Sequence, residues 1–78
     1  MNLLSENDFR AIQTALDSGL ETTMERTLGD LHIRVTTSAA PPVWYPNLML
    51  ARLEVWQRNI YSTQYFGSVA AMREVRKI

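Results

Sequence analysis

The sequence predicts a mainly α fold: one small domain of two to three helices, with at most one short strand at 31–36. Three observations predict it. Apolar residues recur every three or four positions from Phe9 to Leu28 and again from Met49 to Ile60, the spacing that gathers side chains on one face of a helix. A proline-rich stretch, Ser38-Ala39-Ala40-Pro41-Pro42, separates the two periodic runs. A chain of 78 residues holds one core and no second domain.

The first helix is expected over 5–28. Ser5 is placed to accept from a free backbone N–H, and Asp8 puts an acid in the first turn, where the helix dipole favours it. Leu4 and Phe9 occupy the positions of a hydrophobic staple around that cap. Phe9, Ile12, Leu16, Leu20, Met24 and Leu28 then form the apolar face, with Asp17, Glu21 and Glu25 in a row outside it. Gly29 stands where a C-terminal cap belongs, although Gly19 interrupts the same pattern.

Residues 31–36, Leu-His-Ile-Arg-Val-Thr, alternate apolar and polar and include the β-branched Ile33, Val35 and Thr36, which reads as a strand. Leu31 and Val35 also continue the helical spacing, so a helix extension is the other reading. A lone strand needs a partner, and its own copy across a homodimer axis or another protein's sheet edge would supply one. The connector runs over 38–46. Helix two is expected over 46–64, opening at Pro46, with Met49, Leu53, Trp56 and Ile60 as its main stripe. Leu48, Val55 and Phe66 form a second stripe, separated by Arg52 and Asn59, and are the expected oligomer interface. Gly67 breaks the pattern, and Ser68 can cap a last helix over 68–78 bearing Val69, Met72, Val75 and Ile78.

Composition bounds the function. With 46% apolar and 21% charged residues the chain should fold and is unlike a disordered one. Cysteine is absent, which excludes disulfides and thiolate zinc and leaves self-association or a partner as the aid a domain this small commonly needs. No basic-then-apolar leader and no apolar run of about 20 residues occurs, so the expected compartment is the cytoplasm and no membrane is expected as a partner. The net charge is zero, but residues 1–42 carry −3 and residues 43–78 carry +3. Opposite halves favour antiparallel packing of one on the other.

The inventory for catalysis is thin. His32 is the single histidine and reads as a polar-face residue of the strand. The acid row reads as a solvated face, and Gly19, Gly29 and Gly67 are too far apart for a phosphate loop. No catalytic, cofactor or metal site is expected, and the protein is not expected to be an enzyme. The aromatics say more. Apart from Phe9 all of them follow Pro42, and Trp56 falls in the main stripe as core. Trp44, Tyr45, Tyr61 and Tyr65 either form an exposed anchor cluster for a partner protein or close the open end of the core.

These features point to a small, non-enzymatic, homodimeric regulator that binds another protein as an inhibitor, anti-activator or adaptor. Small bacterial and phage proteins of this kind share its size, which is an analogy of size alone. The alternative is a dimeric DNA-binding regulator. The order strand (31–36), helix (46–64), helix (68–78) resembles the ribbon-helix-helix class, and the resemblance implies that His32, Arg34 and Thr36 reach the bases while Leu31, Ile33 and Val35 face inward. The long connector, the additional helix in front and the zero net charge weigh against nucleic acid as a partner.

Overall fold

Ser5 does cap a helix. Its hydroxyl accepts from the Asp8 N–H at 3.1 Å while Asp8 accepts from the Ser5 N–H at 3.0 Å, a reciprocal capping box, and Leu4 and Phe9 are both buried beside it. This helix, α1 (Glu6–Ser18), ends far sooner than residue 28. Gly19 takes the left-handed conformation (φ 67°) and its N–H closes the last turn, the usual way a glycine stops a helix.

The computed structural model describes residues 3–38 and 49–75. After α1 come β1 (Thr22–Leu28), β2 (Leu31–Ser38), β3 (Leu50–Gln57), β4 (Ile60–Phe66) and the single-turn α2 (Val69–Met72). The four strands make one antiparallel sheet in the order β1-β2-β3-β4, each strand beside its neighbour in sequence. The fold is therefore mainly β, and the mainly α expectation is overturned.

Each correction has a local cause. Residues 22–28 are strand because Gly19 has ended the helix and Thr22, Thr23 and Thr27 favour the pleated conformation. The apolar spacing of four in Leu20, Met24 and Leu28 suits a strand as well as a helix, since four is a multiple of both near-periods. The described part of the expected second helix, 49–64, is not a helix: 50–57 and 60–66 are two strands joined by a two-residue turn at Arg58–Asn59. Arg58 adopts φ 56°, the positive value that the first residue of a primed hairpin turn requires, and Gly29 does the same (φ 60°) between β1 and β2. Residues 31–36 lie within β2, but its partners are β1 and β3 of the same chain, so it is a central strand with no free edge to pair across a dimer. The last helix shrinks to Val69–Met72, capped by Ser68.

Alternation along the strands separates two faces. Ile33, Val35, Ala51, Leu53 and Val55 point to one side, where they pack with Leu4, Phe9 and Ile12 of the α1 segment and Val69 and Met72 of α2. Both helices thus lie on the same face of the sheet. Arg73 clamps them together, with its guanidinium bidentate on Glu6 at 2.7 Å and stacked 4.5 Å above the Phe9 ring. Asp8 ties α1 to β1 through Arg26 at 2.8 Å. Buried Thr37 donates to the Leu20 carbonyl at 2.7 Å and accepts from the Thr22 N–H at 3.0 Å, fastening the turn after α1 onto the sheet. The acidic and basic halves meet through Arg34–Glu54, Arg58–Asp30 and Arg73–Glu6. Among the described residues no helix is long and apolar enough to cross a membrane.

Candidate functional site: the open face of the sheet

With both helices on one side, the other side of the sheet is left for polar and aromatic side chains, and the register decides which ones meet. One row across the strands is Thr27, His32, Trp56 and Tyr61; the next is Glu25, Arg34, Glu54 and Thr63; the third is Thr23, Thr36, Arg52 and Tyr65.

Glu54 is the centre of this face. Its side chain is only 7% exposed, although it points away from the apolar core. Arg34 donates to it through Nε at 2.9 Å and Nη2 at 3.1 Å, and the Tyr61 hydroxyl donates at 2.8 Å. Arg52 Nε approaches to 3.5 Å and is itself buried without a hydrogen-bond acceptor. The bonds from Arg34 hold the Glu54 carboxyl below the usual carboxylate range, outweighing the opposite pull of burial, with Tyr61 adding to them. The same pairing raises Arg34.

The aromatic groups are fixed by this charge cluster. Arg34 lies 5.1 Å from the centre of the Trp56 ring, in cation–π range. Trp56 packs tilted between His32 at 5.2 Å and Tyr61 at 5.0 Å. Tyr61 is held from both sides: it donates to Glu54 and accepts from the Thr63 hydroxyl at 2.6 Å. The result is a continuous His32–Trp56–Tyr61 strip in which hydrogen bonds hold His32 and Tyr61 and ring packing holds Trp56, beside two arginines that share one buried carboxylate.

At the β1–β2 end, Thr27 Oγ1 is 2.8 Å from His32 Nδ1, and His32 Nε2 is 3.0 Å from Glu25 Oε1. The carboxylate must accept, so Nε2 donates to it and Nδ1 of the neutral ring accepts from the threonine. A hydroxyl, imidazole and carboxylate in series is the order of an activated nucleophile, but catalysis also needs a cleft and oxyanion donors. His32 lies on the β1–β2 strand pair. The surface concavities at Asn7, Arg10 and Leu20 and between Gln13 and Arg73 lie on the helix layer. Among the described residues no three His, Asp or Glu side chains are grouped to hold a metal ion.

Of the residues expected to bind a partner, Tyr61 and Tyr65 both reach this face and are 52% and 43% exposed. They are two strand positions of equal orientation, not one helical turn apart. Trp44 and Tyr45 lie outside the described residues, as does Leu48 of the expected oligomer interface. Val55 is buried in the core beneath the helices, and Phe66 is half-buried against its edge. Trp56, expected in the core, belongs to the open face. Glu54 was not singled out by the sequence, and the signal that identifies it is the alternation of Arg52, Glu54 and Trp56 against Ala51, Leu53 and Val55.

The ribbon-helix-helix resemblance loses its basis here, because the segment it needs as its first helix is the β3–β4 hairpin. Comparison with known proteins finds no matching family model, no matching curated protein and no matching solved structure.

Proposed function

We propose that this is a non-enzymatic binding protein that docks another protein on the open face of its sheet and regulates it by occupying it. The observation that supports this reading most is the Trp56–Tyr61–Arg34 cluster, held in one arrangement by buried Glu54 on a face that the helices leave uncovered. Trp, Tyr and Arg are the residues that carry most binding energy at protein interfaces. A cluster already fixed by hydrogen bonds has little rotamer freedom to lose on binding. The charges favour a protein over a nucleic acid: Arg34 and Arg52 face Glu54, and Glu25 adds a second acid, so the face offers few free cations for phosphate.

The test is affinity capture from the source cell with the full chain, with and without nuclease, comparing wild type with Trp56→Ala and Tyr65→Ala and with the helix-side control Arg10→Ala. All variants are first matched to wild type by circular dichroism. The reading expects a protein retained by wild type and Arg10→Ala, insensitive to nuclease and lost with the face variants. Retention abolished by nuclease, or a retained protein indifferent to the face variants, overturns it.

A further inference from the structure

The two edges of the sheet differ in chemistry. The β1 edge carries Glu25 and Arg26 at its middle, charges of the kind that keep edge strands from pairing with other chains. The β4 edge, Ile60-Tyr61-Ser62-Thr63-Gln64-Tyr65-Phe66, has no charge and no proline over seven residues, and all but Phe66 are exposed, Ile60 at 72%. Among the described residues no strand lies beyond it.

The order of residues in β4 is also symmetric about Thr63: a large apolar residue, tyrosine, a small polar residue, threonine, a polar residue, tyrosine, a large apolar residue. A two-fold axis demands that kind of self-complementarity, since each residue must suit the partner its own symmetry mate presents. We propose that β4 pairs antiparallel with β4 of a second copy of this chain, with the two-fold axis at Thr63, to give a continuous eight-stranded sheet.

The backbone is set for it. The two-residue turn makes Gln57 and Ile60 a hydrogen-bonded pair, so Ile60, Ser62, Gln64 and Phe66 spend their N–H and C=O groups on β3. Tyr61, Thr63 and Tyr65 direct theirs outward. In the dimer Thr63 faces the partner's Thr63, and each tyrosine faces the other tyrosine of its mate, so all three outward residues exchange both bonds. On the helix side Ser62 meets the partner's Gln64, and Ile60 meets the partner's Phe66, covering the most exposed apolar side chain of the strand. Cross-strand pairs of these kinds are each favourable. The same operation on β1 would set Glu25 against its own copy, a like-charge pair.

Dimerisation in this register changes the open face as well. The partner's Tyr65 comes to lie beside Tyr61, so the strip His32, Trp56, Tyr61 continues across the axis into the second subunit. The site is then completed by the partner copy. Self-pairing itself does not depend on what the face binds.

Sedimentation equilibrium of the full chain over a concentration series tests the proposal. The expected species is a dimer of about twice 9.0 kDa at micromolar concentration. Thr63→Lys sets two ammonium groups against each other across the axis and should raise the dissociation constant at least tenfold, with the circular-dichroism spectrum unchanged. The chain has no cysteine, so Thr63→Cys introduces a single thiol. The hydrogen-bonded pair puts the two Cα atoms about 5.5 Å apart, within disulfide reach. Mild oxidation should therefore convert Thr63→Cys to a covalent dimer at concentrations where Gln13→Cys, on α1, stays monomeric. A concentration-independent mass of 9.0 kDa, open-ended association beyond the dimer, or a dimer that Thr63→Lys leaves intact and Thr63→Cys fails to lock overturns the proposal.

Discussion

Replacing Glu54 with glutamine removes the one charge around which the open face is built. Glutamine preserves the shape and one acceptor oxygen, but it turns an NH2 group toward donors that now have too few acceptors. Hydrogen bonds to a charged group contribute about 1.5–3 kcal/mol each, and Glu54 accepts them from two side chains, Arg34 and Tyr61. The two donors are not themselves buried: Arg34 and Tyr61 are 37% and 52% exposed and rehydrate once the carboxylate is gone. Discounting for that, Glu54→Gln should cost about 2 kcal/mol. At roughly 4–8 °C per kcal/mol for a domain of this size, Tm should fall by about 10 °C, read by circular-dichroism melts at neutral pH. A pH series supplies a second readout. Because the folded carboxyl is held low, the unfolded chain takes up its proton first as pH falls. The stabilisation is therefore complete above the ordinary glutamate value of the unfolded chain and is lost as pH drops through the folded one. The gap between wild type and Glu54→Gln should be widest near neutrality and close in acid. A variant that melts within about 1 °C of wild type at neutral pH, or a gap that stays constant into acid, would refute the reasoning.

Met72, fully buried although it sits on a helix of four residues, should cost about 2–4 kcal/mol when replaced by alanine, seen as a lower urea midpoint at unchanged m. Arg58→Gly should raise Tm by a few degrees, since glycine relieves a side chain held at φ 56° while the lost Asp30 pair is exposed on both sides; a fall in Tm would show that the pair outweighs the strain. Asp8→Ala should cost about 1–2 kcal/mol through loss of the cap and of the Arg26 bond, and the loss should shrink in acid because the Ser5 N–H holds the Asp8 carboxyl low in the folded chain.

The start of α1 was legible because capping is local chemistry: Ser5, Asp8, Leu4 and Phe9 lie within six residues and report on one another. The two hairpins were not, for a reason of arithmetic. A spacing of four residues advances a helix by about 400°, which returns nearly to the same face, and a strand by 720°, which returns to it fully. Leu20, Met24 and Leu28, or Met49 and Leu53, therefore cannot separate the two conformations. Spacings of three do discriminate, and Phe9 to Ile12 is such a pair within α1. Leu53 to Trp56 is another, and there it misleads, because Trp56 points away from the core. The β3–β4 turn gave no warning either. Its positive-φ position holds Arg58 where glycine or asparagine would have announced a hairpin.

The open face was harder to read than the fold because no part of it is contiguous. Glu25, Arg34, Glu54 and Thr63 meet only through the register of three strand pairings, and shifting any pairing by one residue would send its side chains to the helix side. Once the strands are assigned, however, the site follows with little freedom. Ala51, Leu53 and Val55 must face the helices, because they are the apolar members of β3, and this obliges Arg52, Glu54 and Trp56 to share the other side. A strand whose outer residues are merely solvated needs no tryptophan and no buried acid. Their presence together, with Arg34 and Tyr61 brought to the same acid from both neighbouring strands, is the observation on which the proposed contact surface rests.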